Sequence, residues 1–229
     1  MCDSERVHGV RRDRDGAGRR AAGPADAVAA ATARYLNCEP IDMSALAAEL
    51  GVGRATLYRW VGSRERLLAT VLADMTERTY RAAVRGVEGS GPDRVLALLD
   101  RFMRAVVDAV PLKAFTEREP RLFVRLATMP GAIEDRAAEL LADELQRQID
   151  RGRLRVSLPA RTLAQAIVRV ADSFMYAHYL GGTRPEIDTA LEVIELLLRP
   201  PGPDETRPEG GRPSSGPRDG RGEADGSGS

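Results

Sequence analysis

From Pro24 to Arg199 the apolar side chains recur three and four residues apart, and no sustained period-two alternation interrupts them. An apolar stripe on each of several successive helices can be buried only by packing helix on helix. The expected fold is therefore all-α, with about nine helices. A chain of 229 residues can build a sizeable core from such elements. Only 4% of the residues are aromatic, so that core must be mostly Leu, Val, Ala and Ile.

Helix signals punctuate the pattern. Pro24 opens a first helix over 25–37, Asp42 caps a second that ends at Leu50, and Gly51 supplies a left-handed stop. A third short helix covers 54–60. Ser63 caps a long fourth one, striped by Leu68, Val71, Leu72 and Met75. Beyond the Gly-Ser-Gly-Pro break at 89–92 comes a fifth helix, then two shorter pieces punctuated by Pro111 and Pro120. A helix over 134–151 starts acidic and ends basic, as the helix dipole favours. Pro159 and Pro185 open the last two. Both are apolar most of the way round, which calls for burial on two sides, against the core and against a second copy of the chain. Residues 1–22 form a polar, arginine-containing arm and 200–229 a Pro, Gly and Ser tail, both read as disordered. Between them, 23–72 and 73–199 are the expected domains.

Thirty-four basic residues balance 34 acidic ones, so any affinity for nucleic acid must come from a local patch. Cys2 and Cys38 have no metal-like or disulfide spacing. The first residues carry arginines where a secretory leader needs an apolar run, and no apolar run approaches membrane length. A cytoplasmic protein, with no membrane partner and no metal or other cofactor, is expected.

The most informative stretch is 41–68, IDMSALAAELGVGRATLYRWVGSRERLL. Its layout is helix, glycine turn, short helix. Ala47 is small where two helices must approach, Gly51 accepts positive φ, and Val52 and Leu57 can clamp the pair. The second helix carries Arg54, Thr56, Tyr58 and Arg59, side chains that donate to phosphates or base edges. Between Gly51 and Leu68, four arginines (54, 59, 64 and 66) face one acid, Glu65, and make a local positive patch in a neutral protein.

LAAELGVGRATLYRWVGSRERLL resembles the signature of TetR/AcrR transcriptional regulators. The run LYRWVGSRER and the later segment FTEREPRLFVRLAT resemble the QsdR-like branch. The resemblance implies a three-helix, helix-turn-helix DNA-binding domain followed by a helical ligand-binding and dimerisation domain. It implies phosphate contacts from Thr56, Tyr58 and Arg64, and a major-groove face made by Ser44, Arg54, Arg59 and Trp60. Gly53 departs from the usual Ser or Thr cap and Val61 from a frequent Phe. A homodimer on a palindromic operator is implied, acting as a repressor controlled by a small molecule, with a lactone suggested. Phe102, Met103, Phe123, Phe174 and His178 are pocket candidates, although aromatic and Met residues at helical spacing also serve as plain core. A ligand-independent regulator is the main alternative. An enzyme acting on a small apolar substrate is the other, but no nucleophile elbow, phosphate loop or paired metal ligands appear, and no catalytic residue is assigned.

Overall fold

The computed structural model describes residues 22–128, 131–176 and 184–199. It is all-helical among these residues, with ten helices: α1 (Pro24–Leu36), α2 (Met43–Glu49), α3 (Arg54–Val61), α4 (Arg64–Val84), α5 (Gly91–Asp108), α6 (Val110–Arg118), α7 (Pro120–Thr128), α8 (Ala132–Asp150), α9 (Ala160–Tyr176) and α10 (Ile187–Leu198). That is one more than the expected figure of about nine, and the two pieces expected around Pro111 and Pro120 are both present: the backbone leaves the helical region at Glu119 (φ −137°, ψ 56°), ahead of Pro120, and keeps α6 and α7 apart. Residues 154–158 form no strand. The arm and tail lie outside the described residues, as do His178 and Tyr179.

α1, α2 and α3 form a small bundle joined to the rest by the long α4. The expected boundary at 72/73 falls inside α4, which runs unbroken across it. The larger of two apolar clusters among the described residues spans the molecule, from Ala27, Leu57 and Leu68 to Leu145, Ile167 and Ile194, and Tyr80, Ala83 and Leu98 form the smaller. α8 lies at the centre of the larger part, packed on α4 and α9, while α10 closes against α5 and α9. On α9, Leu163, Ile167 and Met175 are buried, whereas Val170 and Phe174 are only partly so. On α10, Leu196 remains 66% exposed.

A buried polar network ties the start of α5 to the end of α8. The Gly91 N–H donates to Gln148 Oε1 at 2.9 Å, Gln148 Nε2 donates to Glu144 Oε1 at 2.8 Å, and Arg94 Nε donates to the same oxygen at 2.9 Å. Glu144 is only 2% exposed, so these donors are what make its burial tolerable. Gly91 itself sits at φ +63°, and a Cβ there would lie 2.5 Å from the Arg153 carbonyl oxygen. Only glycine fits this corner.

Candidate nucleic-acid interface

α2 begins where the Asp42 carboxylate accepts from the N–H groups of Ser44 and Ala45 at 2.9 and 2.7 Å. The Ala45 bond leads in holding the Asp42 carboxyl below its usual pKa. α2 ends at Leu50, and Gly51 turns the chain at φ +67°. α3 starts at Gly53, which offers no side-chain cap, and is held instead by Leu57, which has no exposed surface. At about 100° per residue, a helix anchored by Leu57 points residues 55 and 59 farthest outward. Arg54 and Tyr58 then lie along one flank, and Thr56 and Trp60 along the other.

The exposures agree with this geometry. Arg54 and Arg59 are exposed, Tyr58 is 40% exposed, and Ser44 is exposed on α2 nearby. Arg59 leans back along the helix, Nη2 donating to the Thr56 hydroxyl at 3.4 Å. Trp60, on the second flank, is half-buried and packs against the core cluster with part of its surface still open. It borders an open groove between α1, α3 and α4, with Arg59 and Arg66 also on its wall. Ser63 caps α4 by accepting from the Arg66 N–H at 3.2 Å.

Arg64 holds the junction between the two parts of the molecule. Its Nε donates to the Ile41 carbonyl at 2.7 Å, and its two terminal nitrogens grip the Glu119 carboxylate at 2.8 and 2.5 Å. Donating to the Glu119 carboxylate raises the Arg64 pKa, and Arg64 in turn lowers that of Glu119. Next to Glu119, Arg118 donates to the Cys38 carbonyl at 2.9 Å. Glu119 reads in the sequence as an ordinary helix-end charge. No local signal marks it, because its partner lies 55 residues away.

A second concave feature lies among the helices of the larger part. A cleft of about 180 Å³ is walled by Leu72 and Thr76 of α4, Leu112 of α6, Phe123 of α7 and Tyr176 of α9. An inner recess of about 50 Å³ shares Thr76, Val106, Ile133 and Tyr176 with it and adds Phe102, Met103 and Asp172. Of the pocket candidates, Phe102, Met103 and Phe123 therefore line this space. Phe174 packs against the core without lining either part, and His178 lies outside the described residues. Asp172 was not singled out in the sequence. It was legible there, because it interrupts the stripe that runs through Ala164, Val168 and Met175.

The fold as a whole has counterparts among solved structures. The transcriptional repressor QsdR from R. erythropolis, of the TetR family, is 50% identical to this chain; the match covers 76% of this chain and 93% of that one, with a TM-score of 0.75. The chain belongs to the TetR family. Its place is in the QsdR-like branch. A family model described as tetracyclin repressor-like, C-terminal domain, matches residues 90–199 of this TetR-family chain. The TetR family repressor AlkX from Dietzia sp. strain DQ12-45-1b, implicated in biodegradation of n-alkanes, shares the fold at 24% identity and a TM-score of 0.54, over 75% of this chain and 91% of its own. No curated protein matches. As a TetR-family protein with this helix-turn-helix, the chain is a DNA-binding transcriptional regulator. Among the described residues, no helix is long and apolar enough to cross a membrane.

Proposed function

We propose that this chain is a cytoplasmic homodimeric repressor that reads a palindromic operator through α3 and is released from it by a small molecule bound in the α4–α9 cleft. One observation carries the DNA-reading part: α3 is anchored by Leu57 alone among its buried residues and presents Arg54, Tyr58 and Arg59 to solvent. Arg59, at the tip, is suited to a two-point contact with a guanine edge, with Arg54 and Ser44 beside it. Tyr58 and Thr56, on opposite flanks, are placed to reach the two phosphate walls of a major groove, while Trp60 supports the second flank from its half-buried position. Arg64 spends three of its five N–H donors on Ile41 and Glu119, which leaves two for a phosphate. Residues 23–72 serve as the DNA-binding part and 73–199 as the regulatory and dimerisation part. The partly exposed Val170, Phe174 and Leu196 supply apolar surface for a second copy.

The route from ligand to DNA is short. α6 and α7 give Leu112 and Phe123 to the cleft, and the corner between them carries Arg118 and Glu119, bonded to Cys38 and Arg64. A ligand that shifts α6 or α7 therefore pulls on the DNA-binding helices, which supports a coupling free energy of about 1–3 kcal/mol. A lactone is the first effector to try. To test the DNA-reading part, the purified protein is incubated with sheared genomic DNA and the retained fragments are sequenced. A short palindromic motif, blurred by Arg59→Ala, is the expected result; retention of no motif at moderate salt would refute the reading.

A further inference from the structure

Asp172 stands apart from the acidic residues around it. Arg169, one turn earlier on α9, is committed to Glu134 at 2.8 Å, and Glu134 is the charged group that faces Asp172 from α8. From α4 the nearest polar side chain on the recess is Thr76, whose hydroxyl donates to the Leu72 carbonyl at 3.0 Å. From α5 come only apolar groups, Leu99, Phe102, Met103 and Val106. Asp172 makes no hydrogen bond or ion pair with any described residue, and the surface it keeps is on the wall of the recess. Asp172 is half-buried, and a carboxyl turned from solvent with no cation beside it is pushed towards its protonated form. Burial, reinforced by the Glu134 carboxylate, pushes the Asp172 pKa up to about 8. The recess thus holds the Asp172 O–H as a donor with no acceptor bonded to it among the described residues, in a wall that is mainly apolar but also includes Thr76, Glu134 and Tyr176.

We propose that the cleft takes a small, neutral, mainly apolar molecule with one carbonyl-type oxygen, and that Asp172 recognises it by donating a hydrogen bond to that oxygen. The proposal rests on the ligand-responsive reading above and names the chemistry of its ligand. An uncharged donor in a mainly apolar wall rewards an acceptor and penalises an anion, which would meet the Glu134 carboxylate on the same wall. A hydrocarbon of the same size fills the cleft but leaves the donor unsatisfied. An organic ammonium would need Asp172 to ionise and both charges to lose their water, a cost that close pairing only partly returns.

Three probes of matched length separate these cases: octan-2-one, octane and octylamine, titrated by calorimetry into the full-length protein. The ketone is expected to bind about five- to tenfold more tightly than octane, the value of one hydrogen bond to a buried donor. Asp172→Asn keeps an N–H donor of similar size and should hold ketone affinity within about threefold. Asp172→Leu, checked for folding by its thermal transition, should bring the ketone down to the level of octane. Equal ketone binding by wild type and Asp172→Leu, no ketone binding at its solubility limit, or tighter binding of octylamine that Asp172→Asn abolishes would each overturn the proposal. Operator retention measured with the same samples keeps the two readings apart. Ketone binding that depends on Asp172 but never alters DNA affinity would sink the regulatory role and leave the ligand chemistry standing.

Discussion

Breaking the contact between Arg64 and Glu119 tests whether the two parts of the molecule are braced at this point. Both side chains are 27% exposed, so the pair lies between an open surface bridge and a buried one. Exposed pairs contribute about 0.2–1 kcal/mol, whereas losing one partner of a buried pair costs about 3–5 kcal/mol. With two-point geometry and partial screening, a coupling of about 1–2 kcal/mol is expected for this pair. Arg64→Met also gives up the bond to the Ile41 carbonyl, so it should cost about 1 kcal/mol more than Glu119→Gln. Urea denaturation of wild type, both single variants and the double variant yields the coupling as a double-mutant cycle, provided the denaturant slopes agree. The pH dependence has a fixed sign. The folded Glu119 pKa is lowered from its ordinary value of 4.5, so the pair's contribution is in place above that pH and is lost as pH falls through the lowered value. A coupling under about 0.3 kcal/mol, or one that persists unchanged well below pH 4.5, would refute the bracing argument.

Other consequences follow from the same geometry. Arg59→Ala should cost about 1–3 kcal/mol at the preferred operator and relax its sequence preference, whereas Tyr58→Phe should weaken all sequences evenly; gel-shift titrations against matched and scrambled DNA distinguish the two. Arg64→Met should flatten the salt dependence of DNA binding by about one ion, and an unchanged slope would exclude its phosphate contact. Leu57→Ala should destabilise the fold by about 2–5 kcal/mol in denaturant melts, because Leu57 is the sole buried anchor of α3. Gly91→Ala meets both a positive φ and the Arg153 carbonyl at 2.5 Å, so its melting point should fall clearly below wild type; an unchanged value would show that the corner relaxes. The raised pKa of Asp172 means that its folded form holds a proton the unfolded chain has released. Stability should therefore decline as pH rises from about 4 towards 8, and Asp172→Asn should remove that decline in parallel melts at several pH values.

The sequence by itself determined what depends on neighbours along the chain. Helical periodicity, the Asp42 and Ser63 caps and the Gly51 turn are short-range effects, each settled within a turn or two of helix, and the structure contains all of them. The outward face of α3 was legible for the same reason: once Leu57 is inside, the helical period places Arg59 outside. The same period sets Trp60 on a flank next to Leu57, and how far it is covered depends on how α1 and α4 close over it. Only the tertiary structure paired Arg64 with Glu119, since no propensity links residues 55 positions apart. It also decided which aromatic residues line the cleft and which pack elsewhere on the core. Phe123 and Phe174 occupy equally plausible positions on their helical stripes, and only the packing of α4, α7 and α9 separates them. Asp172 falls between the two cases. Its break in an apolar stripe can be read from the chain, but its lack of a partner among the described residues is a property of the fold, with Arg169 turned to Glu134 instead.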